Sequence, residues 1–273
     1  MSAARALRAG LVAYLVVLLI MALFEENFIF LPSRYPEGHW EPEGLALEDA
    51  HFTADDGTSL HGWYLHHENP LAVVLFAHGN AGNVTHRAPI IHHLHSLGAS
   101  IMVFDYRGFG KSEGKPNEEG VIADARAARA WLANRNGLNT QEIVLLGRSL
   151  GGAVMVDLAV ADGAAGLILE STFTSMPDVA ASVYPWLPVR MLMRTQFNSH
   201  EKIKRYQGPL LHSHGAADEI VPYELGRRLF DAAGTDDKEF IALNDHGHND
   251  LGPESYYTRL RQFLQRVGNG NRP

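Results

Sequence analysis

The stretch "LLGRSLGGA", Leu145 to Ala153, decides the fold, because it reads in two ways: as a serine nucleophile held on a sharp turn, or as one more serine in a glycine-rich loop. With 26 glycines and 13 serines in 273 residues, a G-x-S-x-G pattern arises by chance in about one such sequence in ten, so the pattern alone decides little. Its context decides more. Ser149 follows the apolar run Ile143 to Leu146 and precedes a helical stretch opening at Gly151, an order of strand, turn and helix. A serine on so tight a turn needs small neighbours, because the strand and helix backbones approach closely, and Gly147, Gly151 and Gly152 supply them. A serine hydroxyl is also a poor nucleophile at its own pKa and needs a general base, usually a histidine oriented by a carboxylate.

Outward from this turn, strands alternate with helices. "AHFTADDGTSLHGWYL" reads as a hairpin turning at Asp56-Gly57, and "LAVVLFAHGN" as a buried strand ending in glycine. In "RAPIIHHLHSLG", Ile90, Ile91, Leu94 and Leu97 share one helical face and Gly98 supplies the stop. Strand "SIMVF", helix "VIADARAARAWLA", strand "EIVLLG", helix "GGAVMVDLAVA" and strand "GLILE" follow. After an irregular segment come strand "PLLHSH", helix "YELGRRLFDAAG", strand "KEFIAL" and helix "PESYYTRLRQFLQRV". This pattern predicts an α/β fold, a mostly parallel sheet with helices on both faces, whose catalytic groups gather beyond the carboxyl ends of the strands. Asp218 in "HSHGAADEIVP" lies there, as do His246 and His248 in "ALNDHGHNDLG", and Glu170 at the end of "GLILE" is a second candidate acid. The order Ser, Asp, His is the one this architecture requires.

The motifs "HGNAGN", "FDYRGFGKSEG", "GRSLGG", "LESTFTS", "HGAADEIVP" and "GHND" then follow one another from about Phe28 to the C-terminus. In this order the chain resembles the α/β-hydrolases, specifically a membrane-anchored, small-capped group related to serine-aminopeptidase-like and acyl-thioesterase-like hydrolases. The resemblance implies an oxyanion hole from the backbone N–H groups of Asn80 and of Leu150, the residue after the nucleophile. Its "GHN" match favours His248 over His246 as base. Its "HGAADEIVP" match favours Asp218 as acid and leaves Glu170 to support the loop. It also implies that "DYRGFGKSEG" is a structural loop near the site. "GFGKS" lacks the first glycine of a phosphate-binding loop, where Asp105 stands instead.

The N-terminus carries a separate signal. Ala9 to Phe24 runs sixteen residues without a charge, about 24 Å as a helix against a hydrocarbon core of ~30 Å, and extension through Ala3 with snorkelling of Arg5 and Arg8 lets it span. Those arginines before the run, with Glu25 and Glu26 after it, put the N-terminus in the cytoplasm and the catalytic domain on the non-cytoplasmic side. A cleaved signal peptide is the alternative, but Leu23 and Phe24 stand where a small-x-small site is wanted. The expected organisation is an anchor over residues 1–27, an extended connector over 28–46 with Pro32, Pro36 and Pro42, and a hydrolase domain over 47–268 with a short cap at about 172–205.

Composition narrows the partners. A net charge of −8, a pI of about 6.0 and the lack of any Lys/Arg run argue against nucleic acid. With no cysteine, thiol chemistry, disulfides and Cys-ligated zinc are excluded. His92, His93 and His95, at about 100° per residue, diverge around their helix instead of converging on an ion, and the hydrolase resemblance supplies nucleophile and oxyanion stabilisation from the chain itself, so no metal or other cofactor is expected. Within the cap, "VYPWLPVRMLM" reads as an apolar wall for an acyl group or as ordinary packing, with Trp186 and Arg148 as candidate substrate contacts. The expected activity is hydrolysis of esters or thioesters of a small-molecule or lipid-like acyl substrate through an acyl-enzyme. A peptidase or amidase of the same fold is the second reading, and a non-catalytic ligand-binding protein the third.

Overall fold

The structure, a computed structural model, describes residues 3–269. Eight strands, β1 (Glu48–Thr53), β2 (Ser59–Leu65), β3 (Ala72–Ala77), β4 (Ala99–Asp105), β5 (Val144–Arg148), β6 (Gly166–Glu170), β7 (Leu210–Gly215) and β8 (Lys238–Leu243), form one sheet in the order β1-β2-β4-β3-β5-β6-β7-β8. Strand β2 runs antiparallel to both β1 and β4, as the hairpin at Asp56-Gly57 demands, and the remaining pairs are parallel. Every residue of β3 is buried. Val74 and Phe76 enter one core cluster while Val73, Leu75 and Ala77 enter the other, which is why a strand covered on both faces reads as an unbroken apolar run.

Among the helices, α1 (Ala3–Leu23) and α2 (Glu25–Ile29) precede the sheet. Helix α3 (Ala88–Ser96) presents Ile90, Ile91 and Leu94 to one face of the sheet, beside Leu260, Phe263 and Leu264 of the last helix. Helix α4 (Glu118–Asn136) covers the other face with Val121, Ala125, Ala128 and Leu132, the spacing of one helical stripe. Asn117 caps its start by accepting from the Gly120 amide at 2.8 Å, and Gly137, at φ 65°, ends it. Helix α5 (Leu150–Asp162) packs on that same face. The cap between β6 and β7 holds the short helices α6 (Met176–Val183), α7 (Val189–Leu192) and α8 (Ser199–Ile203), and α9 (Tyr223–Ala232) and α10 (Glu254–Asn269) complete the order.

Two features of this arrangement position the site. The chain leaves β3 through α3 to one neighbour, β4, and returns through α4 to the other, β5, so the strand order reverses at β3 and a crevice opens at the carboxyl ends of β3 and β5. The expected extended connector is only partly so: α2 runs on to Ile29, Leu31–Pro32 is extended, and the chain then turns at residues 35–38 and 43–44, while the stretch lies against the loop that leaves β3. Leu31–Pro32 pairs in parallel with Ala81–Gly82, and the Asn83 side chain donates to the carbonyls of Ser33 at 3.2 Å and Glu37 at 2.8 Å.

Candidate active site

Ser149 stands between β5 and α5 at φ 54° and ψ −121°. A positive φ on a residue with a Cβ costs on the order of 1–3 kcal/mol and persists only where its surroundings impose it. They do so here: the Ser149 amide donates to the Glu170 carbonyl at 2.9 Å, and its own carbonyl accepts from the Gly152 amide at 2.9 Å and the Thr172 hydroxyl at 2.8 Å. The small neighbours are needed sterically. A Cβ on Gly147 would collide with the Gly151 carbonyl, and one on Gly151 with the Ala77 carbonyl.

The loops after β7 and β8 bring the other two residues in. His248 Nε2 lies 3.1 Å from Ser149 Oγ, and His248 Nδ1 lies 2.8 Å from Asp218 Oδ2. A proton on Nδ1, donated to the carboxylate, leaves Nε2 free to accept from the serine hydroxyl. The Asp218 side chain is fully buried. Burial opposes its ionisation, but hydrogen bonds with His214 and His248 and from the Val221 amide outweigh that cost and hold the carboxyl well below the usual carboxylate range. Its Oδ1 also accepts from the Ile220 amide at 2.9 Å and the Val221 amide at 2.8 Å.

The loop after β3 carries His78, Gly79 and Asn80. Gly79 faces the serine, since a Cβ placed on it would lie 3.5 Å from Ser149 Cβ. Asn80 Nδ2 donates to the Ile29 carbonyl at 2.7 Å, and the Asn80 carbonyl accepts from the Leu31 amide at 2.8 Å. From the other side the Tyr106 hydroxyl of the "DYRGFGKSEG" loop donates to the His78 carbonyl at 2.9 Å. Burial pushes His78 down to about 3, so its ring is neutral. Leu150 opens α5, where the first backbone N–H groups have no intrahelical acceptor and the helix dipole favours negative charge.

The remaining candidates take other places. His246 Nδ1 donates to the Asn244 carbonyl at 2.7 Å, and its own carbonyl accepts from the Ala217 amide at 3.1 Å, so it braces the loop beneath Asp218. The Glu170 carboxylate accepts from the buried Tyr256 hydroxyl. Arg148 donates through Nη2 to the carbonyls of His248 at 2.6 Å and Asp250 at 3.0 Å, tying the turn of Ser149 to the loop of His248. Trp186 is not brought to this cluster: it is 59% exposed, and its ring packs on Tyr14 of α1 at 6.3 Å. Sequence reasoning passed over His214, whose Nε2 lies 2.9 Å from the Val221 carbonyl and 3.3 Å from Asp218 Oδ2. It was visible in "HSHGAADEIVP" only as the end of a strand.

A mostly parallel sheet with a serine on a strained strand-to-helix turn, and a histidine and an aspartate on later strand-end loops, defines a hydrolase architecture. Comparison with known proteins agrees. A family model described as serine aminopeptidase, S33, matches residues 68–202. An uncharacterized protein of Mycobacterium tuberculosis is 40% identical over 245 residues, covering 88% of this chain and 87% of the relative. The alpha/beta hydrolase domain-containing protein WAV2 of Arabidopsis thaliana is 32% identical over 278 residues, covering 90% and 89%. Among solved structures, the Pyrococcus furiosus esterase Pf2001 superimposes with a TM-score of 0.70 at 21% identity, covering 87% of this chain and 98% of that one, a likeness of fold. The chain belongs to the α/β-hydrolase superfamily and is a serine hydrolase.

Proposed function

We propose that this protein is a membrane-anchored serine hydrolase that cleaves carboxylic esters or thioesters through an acyl-enzyme. The observation that carries the reading is the unbroken chain from Ser149 Oγ through His248 to Asp218, at 3.1 and 2.8 Å. Ser149 attacks the acyl carbon while His248 takes its proton and then delivers it to the leaving oxygen or sulfur. Asp218 orients the ring and stabilises the imidazolium, and a water activated by the same histidine releases the acid. The backbone N–H groups of Asn80 and Leu150 receive the oxyanion, a role in which one lost donor costs about 3–4 kcal/mol of barrier.

Helix α1 is the anchor in this reading. Its 21 residues are about 31 Å long, matched to a ~30 Å hydrocarbon core, and none of them is buried within the protein. Arg5 and Arg8 hold the N-terminus in the cytoplasm, which leaves the catalytic domain on the other side.

The serine aminopeptidase description of the matching family model favours a peptidase as the second reading. Against it, Glu25, a carboxylate that could have met a substrate ammonium group, already accepts from the amides of Arg194 and Thr195. Rates on an ester and an aminoacyl amide of the same acyl group separate the two.

Fluorophosphonate labelling of membrane and soluble fractions tests the proposal. Wild type should label in membranes, and Ser149→Ala and His248→Ala should lose at least about 10³-fold in turnover. A Ser149→Ala variant that keeps near-normal turnover would sink the mechanism.

A further inference from the structure

A cavity of ≈ 270 Å³ lies between α1 and the cap. Leu18, Met21 and Ala22 of α1 form one wall, and Met176, Val179 and Ala180 of α6 stand among the residues on the cap side. Its one carboxylate, Glu25, is satisfied by the Thr195 amide at 2.7 Å and the Arg194 amide at 3.1 Å, so the space offers a ligand mainly hydrocarbon. Asn80 lines the same cavity, and its neighbour Gly79 faces Ser149. The cavity therefore reaches the loop whose Gly79 faces Ser149.

The wall supplied by α1 fixes where such a chain comes from. Tyr14 packs its ring on Trp186 at 6.3 Å and donates its hydroxyl to the Trp186 carbonyl at 3.2 Å. Tyr14 precedes Leu23, the end of α1, by nine residues, or about 13 Å of helix, close to half of a ~30 Å hydrocarbon core. A cap held alongside that length of a spanning helix is immersed in the leaflet. Its surface suits that medium: Val183, Trp186 and Met191 are 53%, 59% and 87% exposed, beside the exposed apolar side chains of α1.

We propose that this cavity is the acyl-chain pocket of Ser149 and opens within the bilayer, so that the substrate is a membrane lipid whose ester-linked chain enters sideways from the leaflet. The proposal rests on the reading of α1 as a span and of Ser149 as nucleophile. In the reaction the Ser149 Oγ–acyl carbon bond forms as the acyl–oxygen bond to the lipid alcohol breaks, and the serine proton passes through His248 to the departing alkoxide. Water then adds to the acyl carbon as the Ser149 Oγ–acyl carbon bond breaks, its proton passes through His248 to Ser149 Oγ, and the fatty acid leaves.

The test uses the full-length protein in nanodiscs of phosphatidylcholine doped with phosphatidylcholine carrying a diazirine in one acyl chain, irradiated and mapped by mass spectrometry. Wild type and Ser149→Ala should both give adducts at Met176, Val179 or Met193, and Ala180→Trp should reduce these at least fivefold; Ala22→Phe serves if that variant fails to fold. Ala180→Trp should also lower the ratio of kcat/KM for long over short acyl esters at least tenfold. Adducts confined to outward residues of α1 such as Val12, Val16 and Leu23 would overturn the pocket, as would recovery of the wild type in the soluble fraction. Cavity adducts in a protein that no fluorophosphonate labels would retain the pocket and remove the catalytic reading. Labelling without cavity adducts would do the reverse.

Discussion

Asp218 is approached by two histidines at once. His248 meets its Oδ2 at 2.8 Å from the side of the serine, and His214, fully buried on β7, comes within 3.3 Å of the same oxygen from behind. Because His214 Nε2 also lies 2.9 Å from the Val221 carbonyl, it ties the carboxylate to the turn that supplies the Ile220 and Val221 amides. In the proposed mechanism this makes His214 a positioning residue for Asp218. His214→Phe should fill the space, lose the polar tie, and lower kcat on the order of ten- to hundredfold, the range for partners that orient a functional group from behind. His214→Gln, which keeps a donor, should recover part of that loss. Steady-state kinetics on a short acyl ester decide it, and an unchanged kcat in His214→Phe would leave His214 a packing residue only.

At the scale of elements, the loop after β3 is held between two distant segments. The end of α2 and the strap that follows it grip it through Ile29 and Leu31, and the loop after β4 supports it through Tyr106. Asn80→Ala cuts the 2.7 Å bond to Ile29 and leaves the loop held on that side by backbone pairing with Leu31 alone. A displacement of about 1 Å of a catalytic group costs on the order of 10²-fold, so kcat should fall by about ten- to hundredfold while the thermal midpoint moves little. Normal kcat in Asn80→Ala would show that the side-chain tie to Ile29 does not set the position of this loop. The loop and the strap also mark what the sequence made legible. Strands β3 to β8 and their helices announce themselves because each is a local run with its own period, several of them closed by a glycine such as Gly98 or Gly137. Ser149, Asp218 and His248 were legible for a related reason: each lies within a short motif at the end of a strand, and the sheet order then brings the motifs together. The partners of Trp186 and Arg148 were not, since Tyr14 is 172 residues from Trp186 and His248 is 100 from Arg148. Nothing local encodes such contacts. The connector likewise reads as extended from its prolines, but its grip on Asn80 depends on tertiary pairing alone.

Across the whole molecule, buried histidines set the response to acid. His212 is fully buried on β7, its ring lies 5.2 Å from that of Phe240 and 6.4 Å from that of Phe230, and among the described residues neither ring nitrogen finds a hydrogen-bond partner. Burial, with His214 and Arg227 nearby, holds it well below its ordinary value, and burial takes His78 down to about 3. A histidine lowered on folding is protonated more readily in the unfolded chain. Its contribution is therefore fully present above the unfolded value of ~6.5 and is lost as pH falls towards the folded value, at about 1.4 kcal/mol per pH unit for each such group. Stability should accordingly fall steadily below about pH 6.5. His212→Phe removes one of the two titrations and replaces two unpaired nitrogens with carbon in an aromatic cluster. The variant should melt higher than wild type at pH 7.5 and lose less stability on going to pH 4.5, the gap widening by roughly 1.4 kcal/mol per unit. Thermal unfolding of both proteins across that range is the measurement. Parallel slopes would mean that His212 gains a partner or access to water when it is protonated, and that the acid response lies elsewhere in the fold.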